Sequence, residues 1–216
     1  MDFEKAFDTI EHAAIIDTLR AKGFREKWIS WMEALFTTAS SSVLLNGVPQ
    51  KRIYIRRGVR QGDPLSPLLF VITAESLQIL INQAWHNGHI NTPIEQPASM
   101  SYPIVQYADD TLIIMPAKHH QISHVMETLK IFSDFTGFQV NFHKSSLIPI
   151  NISDEKATQL ANILGCKKES MPFTYLGLPM GSTRPKVEEF MPMVSRLDRR
   201  LSGIATMMSY SGRLTH

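Results

Sequence analysis

This sequence predicts an α+β fold with a mainly antiparallel sheet packed on helices, and three observations carry that reading. Short β-rich runs come in pairs about turn signals, long helical stretches separate the pairs, and strand and helix never alternate as a doubly wound sheet requires. The 216 residues are 44% hydrophobic and 19% charged, enough to bury a sizeable core. Twenty-two Lys and Arg stand against 20 Asp and Glu, and the formal charge of +2 excludes histone-like binding by bulk charge. Where the basic residues lie therefore matters more than their number. Cys166 is the single cysteine, which excludes an intramolecular disulfide or a cysteine-rich zinc site and suggests a reducing compartment. No unbroken apolar run reaches the roughly 18–20 residues of a membrane span. Acids also occupy the start, where a signal peptide would be basic. A soluble, intracellular protein is expected, with nucleus and cytoplasm not distinguished.

The elements follow in order. Ala14, Ile15, Leu19 and Ala21 fall at helical spacing between Glu11 and Lys22, and Gly23 caps that helix. A second helix over Glu26 to Thr37 turns Trp28, Ile29, Met32, Leu35 and Phe36 to one side. The period then changes to that of a hairpin, Ser42–Val48 and Arg52–Arg56, with Asn46-Gly47 as its turn signal. A Gly- and Pro-rich loop leads to one helix over Pro67–His86, and a connector follows to Met100. Pro103–Ala108 and Thr111–Met115 read as a second hairpin with Asp109 and Asp110 at its tip. A helix over His119–Thr136 stops at Gly137, strand, turn and strand follow, and Ser153 caps a helix to about Leu164. Phe173–Gly181 is one extended segment, and a last helix over Lys186–Ser202 breaks near Pro192.

Asp109 and Asp110 sit in an otherwise apolar segment, where adjacent carboxylates repel unless one is protonated or a cation is bound. A plain acidic turn explains such a pair as well. Asp2 lies among similar neighbours and offers a third carboxylate from another strand. Three hard oxygen donors suit Mg²⁺ or Mn²⁺, and an all-carboxylate site on a sheet points to phosphoryl transfer. His120 and His124 have helical metal-pair spacing, but with no third ligand in sequence reach they read as a solvated helix face.

Five segments in order carry a family resemblance: Asp2-Phe-Glu-Lys-Ala-Phe-Asp8, Arg57-Gly-Val-Arg-Gln-Gly-Asp-Pro-Leu-Ser-Pro-Leu-Leu-Phe70, Tyr107-Ala-Asp-Asp110, Gly137-Phe-Gln-Val-Asn-Phe-His-Lys-Ser145 and Phe173-Thr-Tyr-Leu-Gly-Leu-Pro179. With them the chain resembles the reverse transcriptases of non-LTR, LINE-like retrotransposons, especially those of plants. The resemblance implies a polymerase palm over residues 1–182 and a linker with the start of a thumb-like helical region over 183–216. Fingers and most of the thumb are expected to be absent, both ends read as cut, and Met1 alone is left of the strand that should lead into Asp2.

The implied activity is RNA-directed DNA polymerisation, extending a DNA primer on an RNA template from deoxyribonucleoside triphosphates, with Mg²⁺ or Mn²⁺ and no membrane. By resemblance Asp2 and Asp109 bind two metal ions, Asp110 completes the cluster, and the Phe3 carbonyl adds a ligand. Phe7 presses on the nucleotide sugar and selects against a 2′-hydroxyl, though ordinary core packing would also account for a Phe there. Arg60, Gln61 and Gly62 hold the nucleotide, with Gly58 and Gly62 admitting close backbone approach. Lys51, Arg52, Arg56, Arg57 and Arg60 form a basic strip with no acid among them, suited to template phosphates and also to guarding an edge strand. Lys144 matches a proton donor to the leaving pyrophosphate. Tyr175, Leu176 and Gly177 match the primer grip. The alternative is an inactive retroelement remnant that at most binds nucleic acid.

Overall fold

Apolar spacing and turn chemistry set the elements of the chain, which a computed structural model describes over residues 1–97 and 99–211. It runs β1 (Phe3–Glu4), α1 (Ala6–Thr9), α2 (His12–Ala21), α3 (Glu26–Thr38), β2 (Ser40–Ser41), β3 (Leu44–Leu45), β4 (Val48–Pro49), β5 (Ile53–Tyr54), α4 (Ser66–Ala74) and α5 (Ser76–His86). There follow β6 (Ile104–Tyr107), β7 (Asp110–Ile113), α6 (His119–Thr136), β8 (Gln139–Val140), β9 (Ser146–Leu147), α7 (Asp154–Leu164), β10 (Lys167–Lys168), β11 (Phe173–Tyr175), β12 (Leu178–Met180) and α8 (Val187–Ser211). Mixed helices and small antiparallel ladders make this an α+β fold. Two compact units are distinguishable, Met1–Ser146 with Thr158–Lys167, and Leu147–Ala157 with the chain from Lys168. Residues 212–216, the end of the segment expected to be thumb-like, lie outside the described residues.

In the first unit, α2, α4, α5 and α6 bury Ile15, Leu19, Leu69, Phe70, Leu77, Ile81, Leu129 and Phe132 in one core. An aromatic cluster lies within it: Phe138 packs at 5.6, 5.1 and 5.7 Å from Phe3, Phe70 and Phe132. Such pairs contribute about 0.5–1.5 kcal/mol each beyond area burial. Since Phe3 is β1 and Phe138 precedes β8, the cluster fixes the strand next to Asp2.

The helix expected over Pro67–His86 is two helices meeting at Glu75. Thr73 Oγ1 donates to the Leu69 carbonyl and Ser76 Oγ to that of Thr73, and hydroxyls bonded back to the helix in this way bend it. By length and composition alone Ser66–His86 could cross a membrane. Leu69, Phe70, Ala74, Leu77, Ile81 and Ala84 are core residues here, so it gives no clear membrane span.

The first predicted hairpin forms, with Asn46 and Gly47 both at positive φ as a type I′ turn demands. Leu45 pairs Val48 and Leu44 pairs Pro49, while Ser40 pairs Tyr54 and Ser41 pairs Ile53. The register slips by one between these ladders, because Gln50 N donates to the Val43 carbonyl, leaving Lys51 and Arg52 opposite Ser42 alone. That is a β-bulge, and two residues of the basic strip form it.

In the second unit, the segment expected to be extended throughout is a hairpin. Phe173–Tyr175 pairs with Leu178–Met180 about a turn at Leu176 and Gly177, both at positive φ. The last helix continues through Pro192 to Ser211.

Candidate active site

Two short ladders are joined at the chain's first residue. The Met1 nitrogen donates to the Thr111 carbonyl at 2.9 Å, and Thr111 N donates back to the Met1 carbonyl at 2.9 Å. Residues that exchange both bonds are directly opposite, and this pair lies next in the chain to Asp2 on one side and to Asp110 on the other. On the other edge Phe3 pairs Val140, Glu4 pairs Gln139, and Asn141 N donates to the Asp2 carbonyl. The β6–β7 and β1–β8 ladders are each antiparallel, and the Met1–Thr111 bonds tie one to the other. By ladder alternation the Phe3 carbonyl is directed away from β8.

Thr111 is buried on the core face, and Asp109 and Asp110 are exposed. The β6–β7 turn is Ala108-Asp109, since Tyr107 pairs Asp110. Asp110 therefore begins a strand rather than standing at the tip. Ala108 has φ +51°, a conformation that costs an L-residue about 1–2 kcal/mol.

Asp2 Oδ2 is buried and accepts no hydrogen bond. Its closest cation is Lys144 Nζ at 3.8 Å, on a side chain 71% exposed. Asn141 places that lysine: Lys144 N donates to Asn141 Oδ1, and Ser145 Oγ donates to the Asn141 carbonyl and accepts from Asp2 N. Among the described residues no three His, Cys, Asp or Glu converge into a ready-made metal cluster. The donor chemistry nonetheless fits a hard divalent ion: Asp2 and Asp110 each adjoin a member of the bonded Met1–Thr111 pair, and one buried carboxylate oxygen lacks a donor.

Phe7 lies flat on Phe70, with centroids 5.0 Å apart and planes 4° apart, so one face of its ring is core and its half-buried remainder is free to meet a ligand. The loop at Arg57–Gly62 is bonded to the turn that carries Phe7. Gly58 N donates to the Ile10 carbonyl, Val59 N to the Phe7 carbonyl, and Gln61 Nε2 reaches Asp8 Oδ1 at 3.5 Å. A Cβ at Gly58 would sit 2.8 Å from the Asp8 carbonyl, so its missing side chain admits this protein's own backbone rather than a substrate. Gly62 has open space around it, at φ +83°. Arg60, Gln61 and Gly62 are all exposed.

Lys51, Arg52, Arg56 and Arg57 are exposed along the first hairpin. Tyr175 is half-buried, and Leu176 and Gly177 form the turn of the β11–β12 hairpin in the second unit. Sequence reasoning missed His12, whose Nε2 donates to the Gly58 carbonyl at 2.8 Å, and Asp8, Asn141 and Ser145. For Asn141 the signal was present, an Asn two residues before the His-Lys pair it turns. His12 lay unremarked inside a helical pattern. His124, expected on a solvated face, stacks at 4.7 Å on His89 and has Nδ1 3.3 Å from Glu127.

Residues 1–180 match the protein family described as reverse transcriptase (RNA-dependent DNA polymerase). A retrovirus-related Pol polyprotein from the type-1 retrotransposable element R2 of Popillia japonica is 37% identical over 114 residues, 53% of this chain and 18% of that protein. The transposon TX1 uncharacterized 149 kDa protein of Xenopus laevis is 27% identical over 68% of this chain and 11% of its own length. A further R2 Pol polyprotein, of Bradysia coprophila, is 25% identical over 87% of this chain and 22% of its own. The chain thus spans at most about a fifth of each of these relatives.

Proposed function

From the premise that this chain belongs to the reverse transcriptase (RNA-dependent DNA polymerase) family, we propose that it is the palm portion of a non-LTR retroelement's RNA-directed DNA polymerase. In this reading it extends a DNA primer on an RNA template from deoxyribonucleoside triphosphates. What supports it most is the pair of bonds between Met1 and Thr111, chain neighbours of Asp2 and Asp110, with Asp109 on the adjoining turn and the Asp2 Oδ2 oxygen buried without a donor.

Asp2, Asp109, Asp110 and the Phe3 carbonyl would hold Mg²⁺ or Mn²⁺. When bound, the divalent ion supplies charge stabilisation for in-line phosphoryl transfer. The chain's own groups do the rest. Lys144, next to Asp2 and largely in solvent, stands ready to place a proton on the leaving pyrophosphate through Nζ. Phe7, braced by Phe70, presents a rigid edge to the sugar and crowds a 2′-hydroxyl. Gln61, Arg60 and the open Gly62 backbone take the triphosphate and base, and the exposed strip at Lys51, Arg52, Arg56 and Arg57 takes template phosphates. Tyr175, Leu176 and Gly177 serve the primer end. Residues 1–182 act as the palm and 183–216 as the approach to a thumb.

Purified protein on a primed RNA template with Mg²⁺ and labelled nucleotides tests this. Template-dependent incorporation is expected, lost in Asp2→Asn and Asp109→Asn and lost with chelator. Incorporation that survives both substitutions would remove the assigned site, and salt-sensitive binding with no incorporation would reduce the chain to a nucleic-acid-binding remnant.

A further inference from the structure

The geometry points to His12 as a positioning residue. It locks the Arg57–Gly62 loop onto the α1 turn, so that Phe7 and Gln61 meet the incoming nucleotide as one rigid surface. This rests on the polymerase reading above and extends it to a side chain that touches none of the proposed ligands.

The turn between α1 and α2 is held from two sides. On one, Glu11 N donates to the Thr136 carbonyl at 2.8 Å, and a Cβ on Gly137 would come within 2.3 Å of the Thr9 carbonyl. α6 therefore sets the turn's position through backbone contact. On the other, Gly58 and Val59 donate to Ile10 and Phe7, and Glu11 bridges Arg57. These backbone bonds use the Gly58 and Val59 donors and leave the Gly58 carbonyl to a side chain. His12 provides it through Nε2–H at 2.8 Å.

The imidazole is itself fixed, stacked on Phe36 with centroids 4.2 Å apart and planes 11° apart. A rigid donor on the first residue of α2 thus holds the peptide two residues before Arg60. Glycine at that position has φ +82° and would otherwise leave the loop an easy hinge. Gln61 completes the lock by reaching back to Asp8. Without His12 the loop keeps its two backbone bonds but loses the anchor that sets its pitch.

The test separates the donor from the ring. His12→Phe keeps an aromatic ring for Phe36 and removes the N–H, and His12→Gln returns an N–H without the ring. In His12→Phe the KM for nucleotide should rise about 5- to 10-fold, the value of one lost hydrogen bond, with kcat within about twofold. The Gly58 and Val59 amides should exchange at least about tenfold faster with the melting temperature little changed. His12→Gln should recover most of both effects. Unchanged KM and unchanged exchange in a folded His12→Phe overturn the proposal, as does a Gln variant no better than Phe. Nitrogen NMR on the wild-type chain adds a measurement that needs no variant: His12 must carry its proton on Nε2, and the other neutral tautomer ends the argument. If the wild-type chain incorporates no nucleotide, the polymerase reading fails, while the exchange and tautomer results still decide the lock.

Discussion

The two hairpins of the first unit are opposites. The one from Ser40 to Tyr54 has the turn chemistry a hairpin wants, Asn46-Gly47 with both residues at positive φ, and almost no core beneath it: Val43, Leu44, Leu45 and Val48 are 59–66% exposed. The one from Ile104 to Ile113 turns on Ala108, which resists positive φ, and carries two carboxylates at its end. It is held instead by tertiary contact, through the Met1–Thr111 bonds and the packing of Ile104, Ile113 and Met115 on the core. The first hairpin is specified locally and offers a basic surface. The second is locally strained, and its geometry comes from the strand beside it. What sets the second hairpin's position is thus its bonding to Met1 and its packing on the core rather than the turn itself.

The largest test of this contrast is chemical. Asp109→Asn should lower incorporation on the order of a thousandfold, the several kcal/mol expected for loss of a metal-held charge. Arg52→Gln with Arg56→Gln should instead weaken template binding at all sequences and lower its log–log salt slope by about 1 per residue, with kcat at saturating template retained.

A second test uses pH. Tyr102, just before β6, is buried, donates its hydroxyl to the Asn91 carbonyl, and receives through its backbone the support of Asn82 and Gln78. Burial pushes its pKa up to about 12 from 10.0. The unfolded chain therefore loses this proton first. The contribution is fully present below pH 10 and drains away as pH rises toward 12, by roughly 2–3 kcal/mol. Chemical unfolding across that range should show the decline in the wild-type chain and a flatter profile in Tyr102→Phe.

Truncation compares the two surfaces directly. Ile113→Ala should cost about 1–2 kcal/mol as a half-buried side chain leaves the core, whereas Leu44→Ala should stay within about 0.5 kcal/mol. Equal losses in urea titrations would show that the first hairpin has a core of its own. The smallest effects fall on the turns. Gly47→Ala should destabilise by about 1 kcal/mol, and Ala108→Gly should stabilise by up to about 1 kcal/mol, because the strain lies at opposite residues.

Much of this was legible in the chain itself. Helical spacing located α2, α3 and α6, and Gly137 marked the end of α6 because its left-handed φ favours glycine and a Cβ there would meet the Thr9 carbonyl. Asn46-Gly47 identified its own turn, and Ser153 capped α7, its Oγ accepting from Lys156 N. The carboxylates stood out because ionised groups are costly among apolar neighbours. The break at Glu75 was hidden, since hydroxyls bonding back to their own helix leave the apolar period intact. The hairpin at Phe173–Met180 was hidden because its first turn residue is Leu176, which no turn rule selects. The one-residue slip at Lys51 and Arg52 was equally invisible, for a bulge depends on pairing between strands and not on either strand's composition.

By itself, then, the sequence determined how the local elements form and marked out candidate residues for the chemistry, because propensity, capping and charge act over a few neighbours. Only the tertiary structure decided the rest. It bonded Met1, beside Asp2, to Thr111, beside Asp110, turned Gly58 from a substrate contact into a packing contact with Asp8, and gave His12 a partner 46 residues away. Those outcomes depend on register and close approach between distant strands and helices, which a one-dimensional pattern does not carry.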